Sequence, residues 1–381
     1  MKKCRALLLS HHTDVGGMAD QLYLYLSKHF DGVIHISHPL LPNTTTKSYL
    51  KVGKQYRLFK IFPPLQFVLE SVYNYIYFKK LKLDKYQYSL VLCIDPLSYL
   101  HARLLKLFFR IHTLIYYNVD YSPRRYVNWF LNFTYQQINR FALHDCDYFF
   151  YITGRFLVDL DPNKRYRHKS FWIKHIHNAS KPKFNTKQKN LLVFCGHLSV
   201  NLDFQPLLEA LALLDKEGIT FRFDIFGNGN KLIELNNQVK KLKLEEKVLF
   251  KGSVDHDKLV QKILPQYSVG LAPYIKMSKL PRGAAQHAFM GDDLSTKVIE
   301  YIGCGLPVIS TKPYPAFEAI EKHHFGYLVK DAKDWYKSLL NLLRNDNKRK
   351  QFSRAAYQYA KRYHEEKVLT PVIKIITNHI C

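Results

Sequence analysis

Met290-Gly-Asp-Asp-Leu-Ser-Thr-Lys-Val-Ile-Glu-Tyr-Ile-Gly-Cys-Gly-Leu-Pro-Val-Ile-Ser310 decides the fold. Asp293 or Ser295 is placed to cap a helix, which leaves the N–H groups of its first turn pointing outward. Val298 and Ile302, four apart, give that helix a buried side. Gly303 and Gly305 end it, and Pro307-Val-Ile reads as the next buried strand. Such a helix start attracts anions through its N–H groups and the positive end of its dipole. Ser295, Thr296 and Lys297 add two hydroxyls and a cation there, and Glu300 shares a face with Lys297. A phosphate held by the first turn places an attached ribose about one turn down, where a carboxylate accepts hydrogen bonds from two vicinal hydroxyls. The same residues also fit a buried helix with a surface Lys297–Glu300 pair, and the stretch alone leaves both readings open.

Ser-Thr-Lys-Val-Ile-Glu-Tyr-Ile-Gly-Cys-Gly-Leu-Pro-Val resembles the Lys-x-x-Glu-Tyr-x-x-x-Gly-x-Pro-Val signature of GT-B glycosyltransferases, especially the family-four type and its exopolysaccharide relatives. The resemblance implies a lysine on the diphosphate, here Lys297, and a glutamate on the ribose, here Glu300. Family members carry an earlier glutamate, and Asp292 stands at the matching position.

The rest of the chain bounds this reading. With 381 residues it is long enough for two domains, and 47% hydrophobic content supports full cores. Six cysteines, Cys4, Cys93, Cys146, Cys195, Cys304 and Cys381, show no paired spacing and read as reduced, with no metal cluster. The N-terminal apolar run is too short for a signal peptide, and no stretch is apolar for the length a membrane span needs. The formal net charge of +26 implies a polyanionic partner or an anionic surface. No zinc-finger, RNA-recognition or basic-zipper pattern is present.

In chain order, Cys4–Ser10 reads as a buried strand, and Asp14-Val-Gly-Gly-Met-Ala as the loop to a helix. Two glycines there let backbone approach a ligand closely. Gly16 and Gly17 resemble the glycine loop that lies over the donor diphosphate in the same enzymes; a plain strand-to-helix turn is the alternative. Residues 51–86 interleave Lys51, Lys54, Arg57, Lys60, Lys79, Lys80, Lys82 and Lys85 with aromatics, and 104–110 repeat the mixture. Cationic amphipathic segments with aromatic faces lie in membrane interfaces; a helix pair with aromatic core is the alternative. Strands follow at Ser89–Asp95 and His112–Asp120. Acidic residues at strand ends face the ligand crevice of open α/β sheets. Tyr116-Tyr-Asn-Val-Asp-Tyr resembles the segment that places a carboxylate over the cleft, so Asp120 is the candidate catalytic residue, with a loop cap or a pair to Arg124 as the alternative.

Residues 156–189 lack regular pattern and read as the interdomain linker. A second series begins at Asn190, with strands running into Gly196-His197, Gly227-Asn-Gly229 and Gly252. Its order and wording resemble the nucleotide-binding half of GT-B enzymes, so His197 and Gly252 join the donor-binding candidates. Family members clamp the diphosphate with an Arg and a Lys after the first strand of this half. His197 takes the Arg position and Asn201-Leu-Asp203 the Lys position, so Lys276, Lys279 or Arg282 must supply the charge. Arg282, before Gly283, is the choice. Gly227-x-Gly229 lacks the third glycine of a dinucleotide fingerprint, which argues against a nicotinamide enzyme.

The expectation is therefore α/β: two Rossmann-like domains facing across a cleft (GT-B). Residues 1–180 bind acceptor, 190–365 bind donor, and 366–381 form a helix crossing back. The expected activity is hexosyl transfer from a nucleotide sugar, a UDP-sugar, to a glycan or lipid-linked acceptor in cell-surface polysaccharide synthesis. It would need no cofactor and no metal, and would run on the cytoplasmic, inner face of an anionic membrane without nucleic acid. A basic nucleic-acid-binding protein and a nucleotide-sugar epimerase are the alternatives.

Overall fold

Strand β1 (Arg5–His12) is the axis of the first sheet. Its run Ala6-Leu7-Leu8-Leu9 is apolar on both faces, as a strand covered on both sides requires, and all four residues are buried. The computed structural model describes residues 4–12, 18–39, 48–52, 55–59, 66–80, 82–182, 188–275 and 293–377. They form two compact units, Met1–Lys174 with Val368–Cys381, and His175–Lys367.

In the first unit β1 is followed by α1 (Met18–His29), β2 (Gly32–Pro39), β3 (Ser48–Val52), β4 (Gln55–Phe59), α2 (Gln66–Lys80) and β5 (Tyr88–Cys93). Then come α3 (Pro96–Leu105), β6 (Ile111–Asn118), α4 (Trp129–Asp145), β7 (Tyr148–Tyr151), α5 (Gly154–Leu160) and β8 (Ser170–Trp172). The strand order is β4-β3-β2-β1-β5-β6-β7-β8. Pairing is parallel from β2 to β8, and β3 and β4 add antiparallel at the edge.

Two expectations change here. The basic aromatic stretch of residues 51–86 is not a helix pair: its first part is the β3–β4 hairpin, and only Gln66–Lys80 is a long helix. The expected linker is partly structured. Thr153 caps α5 through its hydroxyl, and β8 extends the sheet beside β7. These elements are too short for a periodic signal. Among the cysteines, Cys93, Cys146, Cys195 and Cys304 are free and buried, while Cys4 is disulfide-bonded, which corrects the expectation that all six are reduced. Scattered spacing carries no information about a bond closed by the fold.

The second unit holds β9 (Leu191–Cys195), α6 (Gln205–Lys216), β10 (Arg222–Phe226), α7 (Leu232–Lys241), β11 (Val248–Gly252), α8 (His256–Lys258) and β12 (Val269–Ala272). It continues through α9 (Thr296–Gly303), β13 (Val308–Thr311), α10 (Ala319–Lys322), β14 (Gly326–Val329), α11 (Ala332–Arg344), α12 (Asp346–Ala360) and α13 (Glu365–Thr377). All six strands are parallel, in the order β11-β10-β9-β12-β13-β14. Trp335 on α11 is fully buried in the core on one side of this sheet. From Val368 onward α13 belongs to the first unit, where Tyr25 and Thr370 hydroxyls lie 2.9 Å apart. Among the described residues, no helix is long and apolar enough to cross a membrane.

Candidate functional site

The stop of α9 shows why it is only two turns long. Leu306 N–H donates to Tyr301 O at 2.8 Å and Gly305 N–H to Ile302 O at 2.9 Å, with Gly305 at φ +65°. This is a Schellman stop, and the left-handed residue falls on glycine because no Cβ is there to clash. Tyr301 then pins the helix to the sheet: Cys195 N–H donates to its hydroxyl oxygen at 2.8 Å, and the hydroxyl donates to Leu271 O at 3.3 Å. One turn earlier, Lys297 is thereby held at the C-terminal end of β9.

The loops after β9, β10 and β11 pack together at that edge. Gly227 N–H donates to Gly252 O at 2.9 Å, and Gly196 N–H to Phe226 O at 2.9 Å. A Cβ on Gly227 would lie 2.0 Å from Gly196 O, so this approach excludes any side chain. Lys297 Nζ lies over the rings of Phe194 and Tyr274, 4.5 and 4.8 Å from their centroids. Among the described residues no carboxylate pairs with it. Burial pushes its ammonium down to about 8, against the pull of Cys195 and Glu300. A desolvated cation at a helix start, at the strand-end edge of a parallel sheet, is arranged for an anion.

The remaining donor candidates take definite places. Ser295 is the N-cap residue, but its hydroxyl accepts from Tyr274 at 2.7 Å and makes no bond to the helix, so the first-turn N–H groups are not taken by their cap. Asp293, the other cap candidate, instead accepts from Tyr363 and from Leu294 N. Thr296 Oγ1 lies 3.1 Å from His175 Nδ1. Glu300 is buried and 2.6 Å from His256 Nε2, so any ribose hydroxyl shares its carboxylate with that imidazole. His197 is exposed on the loop after β9. Gly16, Gly17, Asp292, Lys276, Lys279 and Arg282 lie outside the described residues.

Asp120 is exposed just after β6 and pairs with Arg125 Nη1 at 2.7 Å, not with Arg124. The first unit also holds a buried polar group that the sequence reading missed. His11 Nε2 lies 2.9 Å from Glu70 Oε2, and His11 Nδ1 3.0 Å from Asp95 Oδ2. Asp95 caps α3, accepting from Ser98 N at 2.8 Å. Burial alone would lower the His11 pKa, but Asp95 and Glu70 outweigh it and raise it to about 10. Both carboxyls, although burial acts to raise them, are held below their ordinary values mainly by His11. His38 is buried and kept neutral, lowered to about 3. The signal available in sequence was Glu70 alone, a carboxylate inside an otherwise apolar helical run.

Residues 176–359, within the second unit, match the family model for glycosyl transferases group 1. No curated protein matches the chain by sequence. Among solved structures, sucrose-phosphate synthase from Thermosynechococcus elongatus is similar at 13% identity and TM-score 0.64, covering 99% of each chain. Anabaena HepE, solved with UDP and glucose, is similar at 14% identity and TM-score 0.61, covering 98% of this chain and 99% of its own. S. aureus TarM is similar at 17% identity and TM-score 0.53 over 87% of this chain, which spans 62% of the TarM chain.

Proposed function

We propose that the protein is a glycosyltransferase that moves a sugar from a UDP-sugar to a glycan or lipid-linked acceptor in cell-surface polysaccharide synthesis; the match of residues 176–359 to glycosyl transferases group 1 and the GT-B fold support this reading. The observation that carries the reading is Lys297: a half-buried, desolvated cation without a carboxylate partner among the described residues, at the start of α9, inside the matched domain. Transfer leaves a nucleoside diphosphate, so negative charge grows on the leaving phosphates. Lys297 and the first-turn N–H groups of α9 stabilise that charge without a metal ion on the diphosphate. Glu300, steadied by His256, receives the ribose. The UDP and glucose held by HepE support this choice of donor. Asp120 is assigned the acceptor-side carboxylate, which takes a proton from the acceptor hydroxyl or steadies positive charge on the sugar ring.

The same reading places the protein at the inner, anionic face of a membrane. Helix α2 exposes Val72, Tyr75 and Ile76, and Tyr75 meets Phe108 with ring centroids 5.2 Å apart. Phe108 and Leu107 are themselves about two-thirds exposed, at 64% and 65%, and Lys79 Nζ lies 5.8 Å from the ring centroid of the neighbouring Phe109. Exposed apolar side chains on a helix that ends in Lys79 and Lys80 fit an interfacial surface of acidic lipid. The test of the function is direct. Incubation with a panel of nucleotide sugars and membrane-derived acceptor should release UDP and yield labelled glycan from a UDP-sugar. Release of no nucleotide from any sugar donor would remove the assignment.

A further inference from the structure

Three donors far apart in sequence meet in the first unit. His11 is on β1, Glu70 on α2 and His101 on α3, and one ligating atom from each lies within 4.8 Å of the other two. His11 Nε2 is 2.9 Å and His101 Nε2 3.7 Å from the same Glu70 Oε2. On a tetrahedral zinc ion with bonds of about 2.0–2.2 Å, neighbouring donor atoms stand roughly 3.3 Å apart. The observed spacings bracket that value. The three side chains are 2%, 0% and 6% exposed, so the point they share is closed to bulk water.

What lies behind the donors fits the same chemistry. Asp95 holds the other ring nitrogen of His11, Nδ1, at 3.0 Å, and is itself fixed by Ser98 N at 2.8 Å and Ser98 Oγ at 2.6 Å. A carboxylate on the far nitrogen of an imidazole sets its tautomer and turns Nε2 toward a metal. The rings of His11, His38 and His101 form a near-equilateral triangle, with centroids 5.9, 6.1 and 5.8 Å apart. His38 is held outside the ligand set: its Nε2 donates to Asn74 Oδ1 at 3.1 Å, and its Nδ1 lies 3.0 Å from Ser48 Oγ. A divalent ion in place of the His11 proton still balances the buried charges of Glu70 and Asp95.

We propose that His11, Glu70 and His101 bind a divalent transition-metal ion of the zinc class, with Asp95 as the positioning residue for His11. Two imidazole nitrogens and one carboxylate select zinc over magnesium or calcium, which take oxygen donors. One ion ties β1, α2 and α3 together. It also accounts for two polar residues on the inward face of α2: Glu70 and Asn74 are buried beside the core residue Phe78, while Val72, Tyr75 and Ile76 face out. The site lies wholly within the first unit and does not depend on the donor assignment.

The test uses the full chain, stripped with a chelator and titrated with zinc, magnesium, and cobalt(II) as a spectroscopic probe. The expected result is one zinc per chain, a rise in Tm with zinc but not with magnesium, and a tetrahedral ligand-field spectrum with cobalt. Glu70→Gln and His101→Gln should each lose the ion, and Asp95→Asn should bind it roughly 10–100-fold more weakly. Zinc retained equally by folded Glu70→Gln and His101→Gln overturns the site. If those variants do not fold, the wild-type chain decides alone: sub-stoichiometric zinc with no rise in Tm overturns it.

Discussion

The two units concentrate charge in opposite ways. In the second, Lys297 is one cation set among aromatic rings, with Glu300 one turn away bound to His256. In the first, His11 is surrounded by carboxylate, Glu70 on one nitrogen and Asp95 on the other. The first group is saturated by its own neighbours; the second leaves a cation without its anion. A self-satisfied network holds a fold together or holds a metal, whereas an unsatisfied buried charge is arranged for a ligand. On the proposed function, this difference is the reason to assign the donor chemistry to Lys297 rather than to the larger and more conspicuous histidine cluster.

The sharpest break in this comparison would come from Asp120. It is an acidic candidate of the first unit outside the histidine cluster, and only Arg125 pairs with it among the described residues. Asp120→Asn keeps shape and removes charge, and kcat should fall roughly 10²–10⁴-fold with donor affinity nearly unchanged. Turnover close to wild type in a folded variant would make Asp120 structural and direct attention to Asp14.

Acid should act next through the buried neutral histidines, His38 of the first unit and two of the second. Burial lowers His175 and His177 of the second unit to about 4. For His177 the bond to Ala360 O and the charge of Glu300 oppose that, and His364 adds to it. An unfolded histidine titrates near 6.5, so the unfolded state binds more protons between about pH 6.5 and 4, and stability falls as pH drops through that window. Each residue should cost about 1.4 kcal/mol by pH 5.5. Thermal unfolding at pH 7 and 5.5 reads this, and His175→Gln with His177→Gln should flatten the slope. An unchanged slope in that double variant would show that both are protonated in the fold.

How much of this was legible in the sequence follows from the same contrast. Ser295, Thr296, Lys297 and Glu300 lie within two turns of one helix, and their glycine stop is written beside them, so local reading reaches the proposed donor site. His11 and Glu70 are 59 residues apart and His11 and Asp95 84 apart, and only the strand order β2-β1-β5 brings them together. Helix α2 adds a second obstacle, because it carries apolar residues on both faces, Phe78 buried and Val72, Tyr75 and Ile76 exposed, so periodicity does not mark its inward side. The β3–β4 hairpin was hidden in the basic aromatic stretch for a related reason. Lysine and aromatic residues alternating at short range suit an edge strand as well as an interfacial helix.

Smaller effects sharpen the picture at its edges. Gly227→Ala puts a Cβ against Gly196 O at a backbone of φ +134°, and should cost about 1–3 kcal/mol of stability as well as donor affinity. A variant as stable as wild type would show that the loops after β9 and β10 do not pack this closely. Lys79, Lys80 and Lys82 changed to Glu should reduce sedimentation with anionic liposomes at low salt and leave nucleotide binding intact. Unchanged sedimentation would remove α2 from the membrane-facing surface.

The central claim is that Lys297 waits for a diphosphate, and calorimetry tests it most directly. UDP-sugar and uridine are titrated into wild type and into Lys297→Ala. Losing a charge-assisted contact to phosphate costs about 1.5–3 kcal/mol, so the variant should bind the UDP-sugar roughly 10–150-fold more weakly while its affinity for uridine stays the same. Equal losses for both ligands, or no loss for either, would contradict the account and place the diphosphate away from the start of α9.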